Sequence, residues 1–197
     1  MSSKWLRPEG ERAWIMGVLN CTPDSFSDGG KFVGDAAEQT VDLEGALHHA
    51  LTMYQQGADI IDVGGESTRP GSAPVSLDEE LRRVIPVIET LSPKGVTLSI
   101  DTTKAEVMRR AISAGASMVN DVTALRGDSD SLDVVAETGV DVCLMHMQGV
   151  PETMQKKPEY ENELDEVAHF FESRIEQCMD GGGSESSLLI DPGYGFC

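Results

Sequence analysis

Gly17-Val-Leu-Asn-Cys-Thr-Pro-Asp-Ser-Phe-Ser-Asp-Gly-Gly30 is the stretch on which the fold turns. It closes an apolar run over residues 14–19, which reads as a buried strand, and then breaks into a loop carrying Asn20, Thr22, Asp24, Ser25, Ser27 and Asp28. A turn after a strand does not need so many oxygen and amide groups, so the loop reads as the rim of an active site. No Gly-x-Gly-x-x-Gly fingerprint follows this first strand, which weighs against an open, doubly wound dinucleotide fold.

Working outward, five further short apolar runs read as strands, over residues 59–63, 97–100, 117–119, 141–145 and 187–190. Helical periodicity separates them. Residues 41–56 place Ala46, Leu47, Ala50, Leu51 and Tyr54 on one face, with Gly57 as the stop. Ser76-Leu-Asp-Glu79 matches a capping box and opens a helix with Leu81, Val84, Ile85 and Ile88 inward and Pro86 as an expected kink. Thr103-Lys-Ala-Glu106 is a second capping-box match, its helix ending at Gly115. A short helix runs through Leu132 to Glu137, and a longer one over 160–179 spaces Leu164, Val167, Ala168, Phe171, Ile175 and Cys178 helically.

Strict alternation of strand and helix argues for a parallel sheet flanked by helices, either open and doubly wound or closed as a (β/α)8 barrel. Polar clusters after every strand favour the barrel, whose site is built from the loops at one end. A typical barrel takes about 250 residues, and only six strands are legible, so the expectation is an incomplete (β/α)8 barrel forming a single domain over 1–197.

Composition narrows the function classes. A chain of 197 residues with 40% hydrophobic and 25% charged residues suits one globular domain. The formal charge of −19 argues against nucleic acid or an anionic membrane as partner. No apolar run reaches the ~18 residues of a membrane span, and the N-terminal residues lack a signal-peptide core, so a cytoplasmic location is expected. Cys21, Cys143, Cys178 and Cys197 are scattered without a Cys-x-x-Cys pair and read as reduced thiols.

The strand ends hold the chemistry. They read Asp62-Val-Gly-Gly-Glu-Ser-Thr-Arg-Pro-Gly-Ser72, Ser99-Ile-Asp-Thr-Thr-Lys104, Val119-Asn-Asp121, Leu144-Met-His-Met-Gln-Gly149 and Asp191-Pro-Gly-Tyr-Gly-Phe196. An ionised carboxylate is acceptor-only and takes two bonds at once, which suits a ligand rich in N–H donors such as an amino-pyrimidine ring. These motifs in this order, with the opening stretch, resemble the dihydropteroate synthases of the folate pathway, over residues 14–196.

The resemblance implies a (β/α)8 enzyme that joins 4-aminobenzoate to a dihydropterin methyl diphosphate, releasing diphosphate, and is blocked by sulfonamides. It implies that Asp101, Asn120 and Asp191 hold the pterin, that Asn20 binds Mg2+, and that Thr68, Arg69 and Pro70 lie near the aminobenzoate. Asp28 falls in a first mobile loop, and Asp101, Asp191 and Asp28 are the implied catalytic group, with Met145 against the flat ring or in the core. Family members are usually homodimers. Beyond Gly-Phe the family continues into two further βα units, a strand-seven lysine and an Arg-x-His motif. The chain is therefore expected to be part of a longer enzyme, with strands one and six left as exposed edges.

For the neighbouring polar residues blander roles are expected. Asp62 orients loop backbone or meets ligand, Asp121 bonds to backbone, Glu66 pairs with Arg69, Lys104 is a surface cation, and His146 is a satisfied structural histidine. His48, His49 and His169 belong to helix surfaces. A pterin-dependent methyltransferase and a non-catalytic pterin-binding module stay open as alternatives.

Overall fold

The computed structural model describes residues 5, 10–22, 42–67, 74–149 and 160–194. Among them six parallel strands form one sheet in sequence order: β1 (Met16–Asn20), β2 (Ile60–Gly64), β3 (Thr97–Asp101), β4 (Met118–Asp121), β5 (Asp141–Met145) and β6 (Leu188–Asp191). The α-helices alternating with them are α1 (Leu43–Gln55), α2 (Leu77–Leu91), α3 (Ala105–Ala114), α4 (Ser131–Thr138) and α5 (Glu163–Asp180). Every consecutive strand pair is a parallel neighbour, so each connection steps one place along the sheet, as in a barrel wall. This is an incomplete (β/α)8 barrel rather than a doubly wound sheet, whose strand order would reverse at a switch point.

The period of two divides each strand between two layers. Leu19, Ile61, Val63, Leu98, Ile100, Val119, Val142 and Leu144 are buried beneath the helices and form one core with Ala46, Ala50, Val84, Ile88 and Met108. The alternate residues line the other face of the sheet, and there the side chains turn polar: Asn20, Asp62, Ser99, Asp101, Asn120, Cys143 and Asp191. At the two outer strands Val18 and Ile190 are each 55% exposed.

Helix ends follow their local chemistry, with one exception. Asp42 caps α1 through Gly45 N at 3.0 Å, and Ser76 caps α2 through Glu79 N at 3.3 Å. The second capping box does not form. The N-cap of α3 is Lys104 without a side-chain bond, while Asp128 Oδ2 accepts from Ala105 N at 3.0 Å and Thr102 Oγ1 from Lys104 N at 3.2 Å. A distant carboxylate thus replaces the local cap. Helix α2 runs unbroken through Pro86. On α5 the helical pattern picks Phe171 and Cys178 correctly, but Leu164 is 81% exposed and the buried position between them is Arg174.

Candidate active site

The strand register sets the site. Asn20 pairs with Gly64, Gly64 with Asp101, Asp101 with Asn120, Asn120 with Cys143 and Cys143 with Leu189, so one row crosses the whole sheet near its C-terminal edge. Asp191 lies one step beyond, paired with Met145. Asn20, Asp101, Asn120 and Asp191, read from sequence as site residues, therefore come together on the side of the sheet away from the helices. Asp28, Thr68, Arg69 and Pro70 lie outside the described residues.

Asp101 occupies the centre of this row. Among the described residues no donor reaches its half-buried carboxylate. Burial and the neighbouring Asp62, Asp121, Glu80 and Glu66 raise its pKa well above the usual carboxylate range. The absence of a side chain at Gly64 keeps space beside it open: a Cβ there would sit 3.3 Å from Asp101 Oδ2 and 3.8 Å from Asn20 Oδ1. The atoms nearest that space are the Asp101 oxygen, the Asp101 Cβ at 3.5 Å and the Asn20 oxygen.

Asn120, next in the row, donates from Nδ2 to Asp62 Oδ2 at 2.9 Å. Asp62 is 3% exposed, and burial raises its pKa against the opposing effects of Ser99 and Asn120. Ser99 is its cross-strand neighbour, close enough to favour the ionised form, although its hydroxyl closes no hydrogen bond of normal geometry. The expectation that Asp62 orients loop backbone is replaced by a side-chain bond two strands away.

Asp121, pointing to the helix side, has the backbone role read from sequence. Its carboxylate accepts from Thr123 N at 2.7 Å, Thr123 Oγ1 at 2.7 Å and Leu125 N at 3.0 Å. These bonds hold Ala124 and Leu125 at positive φ of 52° and 60°, a left-handed conformation costly for residues with a Cβ. The tight turn starts immediately after Asn120 and so fixes where that residue stands.

Asp191 Oδ1 accepts from Gly193 N at 2.8 Å, and its backbone oxygen accepts from His146 N at 2.8 Å. His146 is buried, packs edge-on to Phe170 at 4.9 Å, and has its pKa lowered by burial and by Arg126, as suits a structural histidine. Met145 is buried with Val122 and Met147.

Two features escape the sequence reading. Cys143 sits among the acids: burial, then Asp191, Asp62 and Asp101, push its thiol up to about 12. One thiol thus senses carboxylates from three other strands. The alternation of Asp141, Cys143 and Met145 on one strand face was the signal that could have found it. Lys104, expected on the surface, is partly buried in an ion-pair network with Glu66 and with Glu80, which is 0% exposed on α2. Glu66 takes this lysine, its Arg69 alternative lying outside the described residues. No sequence signal marks Glu80, because a glutamate in a helix's first turn reads as solvated. His48, His49 and His169 are exposed on helices, as expected. Cys21, Cys143 and Cys178 are free thiols. No helix among the described residues is long and apolar enough to cross a membrane.

The sequence profile of pterin-binding enzymes matches residues 16–197. The chain belongs to the pterin-binding enzyme family. Within that family it is 49% identical to the dihydropteroate synthase of Escherichia coli (strain K12) over 183 residues, which is 92% of this chain and 62% of that protein. Two solved structures are similar in fold. The dihydropteroate synthase of Xanthomonas albilineans with 4-aminobenzoic acid has a TM-score of 0.81 at 48% identity, covering 94% of this chain and 63% of that one. The Burkholderia cenocepacia dihydropteroate synthase complexed with 7,8-dihydropteroate has a TM-score of 0.80 at 41% identity, covering 95% and 60%. The chain spans about 62% of the length of that curated relative.

Proposed function

We propose that this chain is the larger part of a dihydropteroate synthase. The reaction joins 4-aminobenzoate to (7,8-dihydropterin-6-yl)methyl diphosphate and yields 7,8-dihydropteroate and diphosphate, in folate biosynthesis. The carrying observation is that Asp101 and Asn120, cross-strand neighbours, both keep acceptor oxygens that no described residue satisfies. Adjacent free acceptors suit a ring with adjacent N–H donors, and the amino-pyrimidine edge of a pterin is such a ring.

Asp101, Asn120 and Asp191 hold the pterin in this reading, with Cys143 in the same row beside Asn120 and Met145 supporting the site. The C–O bond between the pterin methylene and diphosphate breaks, with the electron pair leaving on oxygen. The amine nitrogen of aminobenzoate then forms the new C–N bond and loses a proton to solvent. Carboxylates whose charge is poorly solvated stabilise the cationic character that develops on the pterin as the bond breaks. Donors from the ring would also relieve the unfavourable setting of Asp101. Thr68, Arg69, Pro70 and Asp28 are assigned to the aminobenzoate side and to water exclusion by their place in the family motifs.

Magnesium fits the donor set. The oxygens of Asn20 and Asp101 face the gap above Gly64, and this hard cation prefers one or two protein oxygens plus phosphate and water. When bound, it would neutralise charge on the leaving diphosphate.

The test supplies the chain with both substrates and follows diphosphate release and dihydropteroate formation, alongside titration with 6-hydroxymethylpterin. Turnover supports the synthase. Pterin binding without turnover favours a binding module lacking the rest of the enzyme. Failure to bind pterin overturns the reading.

A further inference from the structure

Asp62 is buried on β2, yet among the described residues its side chain engages neither a cation nor the loop that follows. Its partner is Asn120 on β4, with β3 between them. An ionised carboxylate can only accept, so the atom that meets Asp62 Oδ2 must be the amide nitrogen of Asn120. Among the described residues the amide oxygen then accepts nothing and stays available beside Asp101.

Shape alone would not choose this orientation, because the two ends of a side-chain amide are nearly isosteric. Ser99, next to Asp62, could donate or accept and cannot impose a sense either. Without Asp62, the strongest remaining acceptor near Asn120 is Asp101 itself. An amide turned toward it would occupy the carboxylate that a ligand needs and would present a donor where an acceptor now stands.

We propose that Asp62 is a positioning residue that fixes the donor–acceptor sense of the Asn120 amide, so that the site selects an N–H edge and rejects a ring carbonyl. This deepens the pterin reading above and rests on it. Asp62 touches no ligand in this account. It acts through Asn120, and through keeping the Asn120 nitrogen away from Asp101.

The experiment compares 6-hydroxymethylpterin with its 2-oxo analogue, 6-hydroxymethyllumazine, by calorimetric titration of the chain and of Asp62→Asn. The unsubstituted chain should prefer the amino ring by on the order of ten-fold or more, because a mismatched buried donor or acceptor goes unpaired. In Asp62→Asn the pterin affinity should fall by roughly ten-fold and the ratio between the ligands should collapse toward unity. A merely structural Asp62 would lower both affinities alike and leave their ratio unchanged, which overturns the proposal while the pterin reading stands. If the unsubstituted chain binds neither ring, the pterin reading fails and takes this inference with it.

If Asp62→Asn lacks a cooperative unfolding transition, Asp62→Ser removes the obligate acceptor with a smaller side chain. The unsubstituted protein carries an independent check in the side-chain amide NMR signals of Asn120, assigned by their loss in Asn120→Ala. One proton should be protected from exchange before and after pterin is added. Rapid exchange of both would refute the fixed orientation.

Discussion

Lys104 Nζ donates to Glu80 Oε2 at 2.5 Å, tying the end of β3 to a carboxylate with no exposure on α2. The same ammonium group meets Glu66, whose other oxygen accepts from Val75 N at 3.3 Å. Thr102 Oγ1 completes the cluster, donating to Glu80 Oε1 at 2.6 Å. Burial opposes the charge on Lys104, and the bonds to Glu66 and Glu80 overcome it and raise its pKa. Two strand ends and a helix are thus fastened behind the site.

Lys104→Met should expose how much this fastening matters. It leaves the Glu80 charge buried with Thr102 as its single described donor, and removing one partner of a buried pair is strongly destabilising. Because Lys104 is 26% exposed, we expect the lower end of that range, about 2–3 kcal/mol. The urea midpoint should fall with an unchanged m-value.

At Gly65 helix α2 closely approaches the end of β2. A Cβ there would lie 2.8 Å from Glu80 Cγ and 2.9 Å from Val84 Cγ1, while Arg83 Nη1 donates to Gly65 O at 2.8 Å. Neither neighbour can move without disturbing the core or the ion pair. Gly65→Ala should cost about 1–3 kcal/mol, read by thermal or urea unfolding.

Asp101→Asn should stabilise the fold while weakening pterin binding. Unfolded, an aspartate titrates near about 3.9, and in the folded chain the proton is retained to higher pH. The native state therefore binds more protons across that window. The Asp101 contribution is fully favourable below about pH 4 and is lost as pH rises through the raised native pKa. Near about pH 8 the substitution should stabilise the fold, and the gain should shrink as the pH is lowered toward the unfolded value of about 4. Urea unfolding at both values checks the sign.

Asp121→Ala removes the acceptor of three hydrogen bonds that hold two residues at positive φ. Buried donors left unpaired and an unsupported strained turn should together cost about 2–4 kcal/mol. Asn120 stands directly before this turn, so pterin affinity should fall as well, by calorimetry.

Cys143 should resist alkylation in the folded chain. With its thiol pushed up to about 12, the thiolate fraction near neutral pH is lower than for a free cysteine by roughly three orders of magnitude. Mass spectrometry after iodoacetamide treatment should find Cys143 unmodified until the protein is unfolded. Rapid native labelling would contradict this partly buried, acidic setting.

The alternation of strands and helices, the strand that ends in Asn20 and the row of polar strand ends were all legible in the amino-acid sequence. Each rests on local periodicity or on a short motif at a strand terminus, and such signals need no knowledge of distant neighbours. The place of Asp101, Asn120 and Asp191 at the strand ends was legible for the same reason, as was the backbone role of Asp121, whose partners lie two and four residues away.

What the tertiary structure decided are the relationships across strands. The capping box at Thr103 failed because Asp128, 23 residues away from Ala105, supplies the bond instead. Lys104 reads as a surface cation on its own element and is drawn partly inside, onto the buried Glu80, because β2, β3 and α2 converge there. Asp62 finds Asn120 across 58 residues of chain. The environment of Cys143 is made by three carboxylates from three other strands. Sequence sets which side chains stand at the strand ends, through period and turn chemistry. Their register against one another, and with it burial, charge state and hydrogen-bond partner, is set by packing at long range.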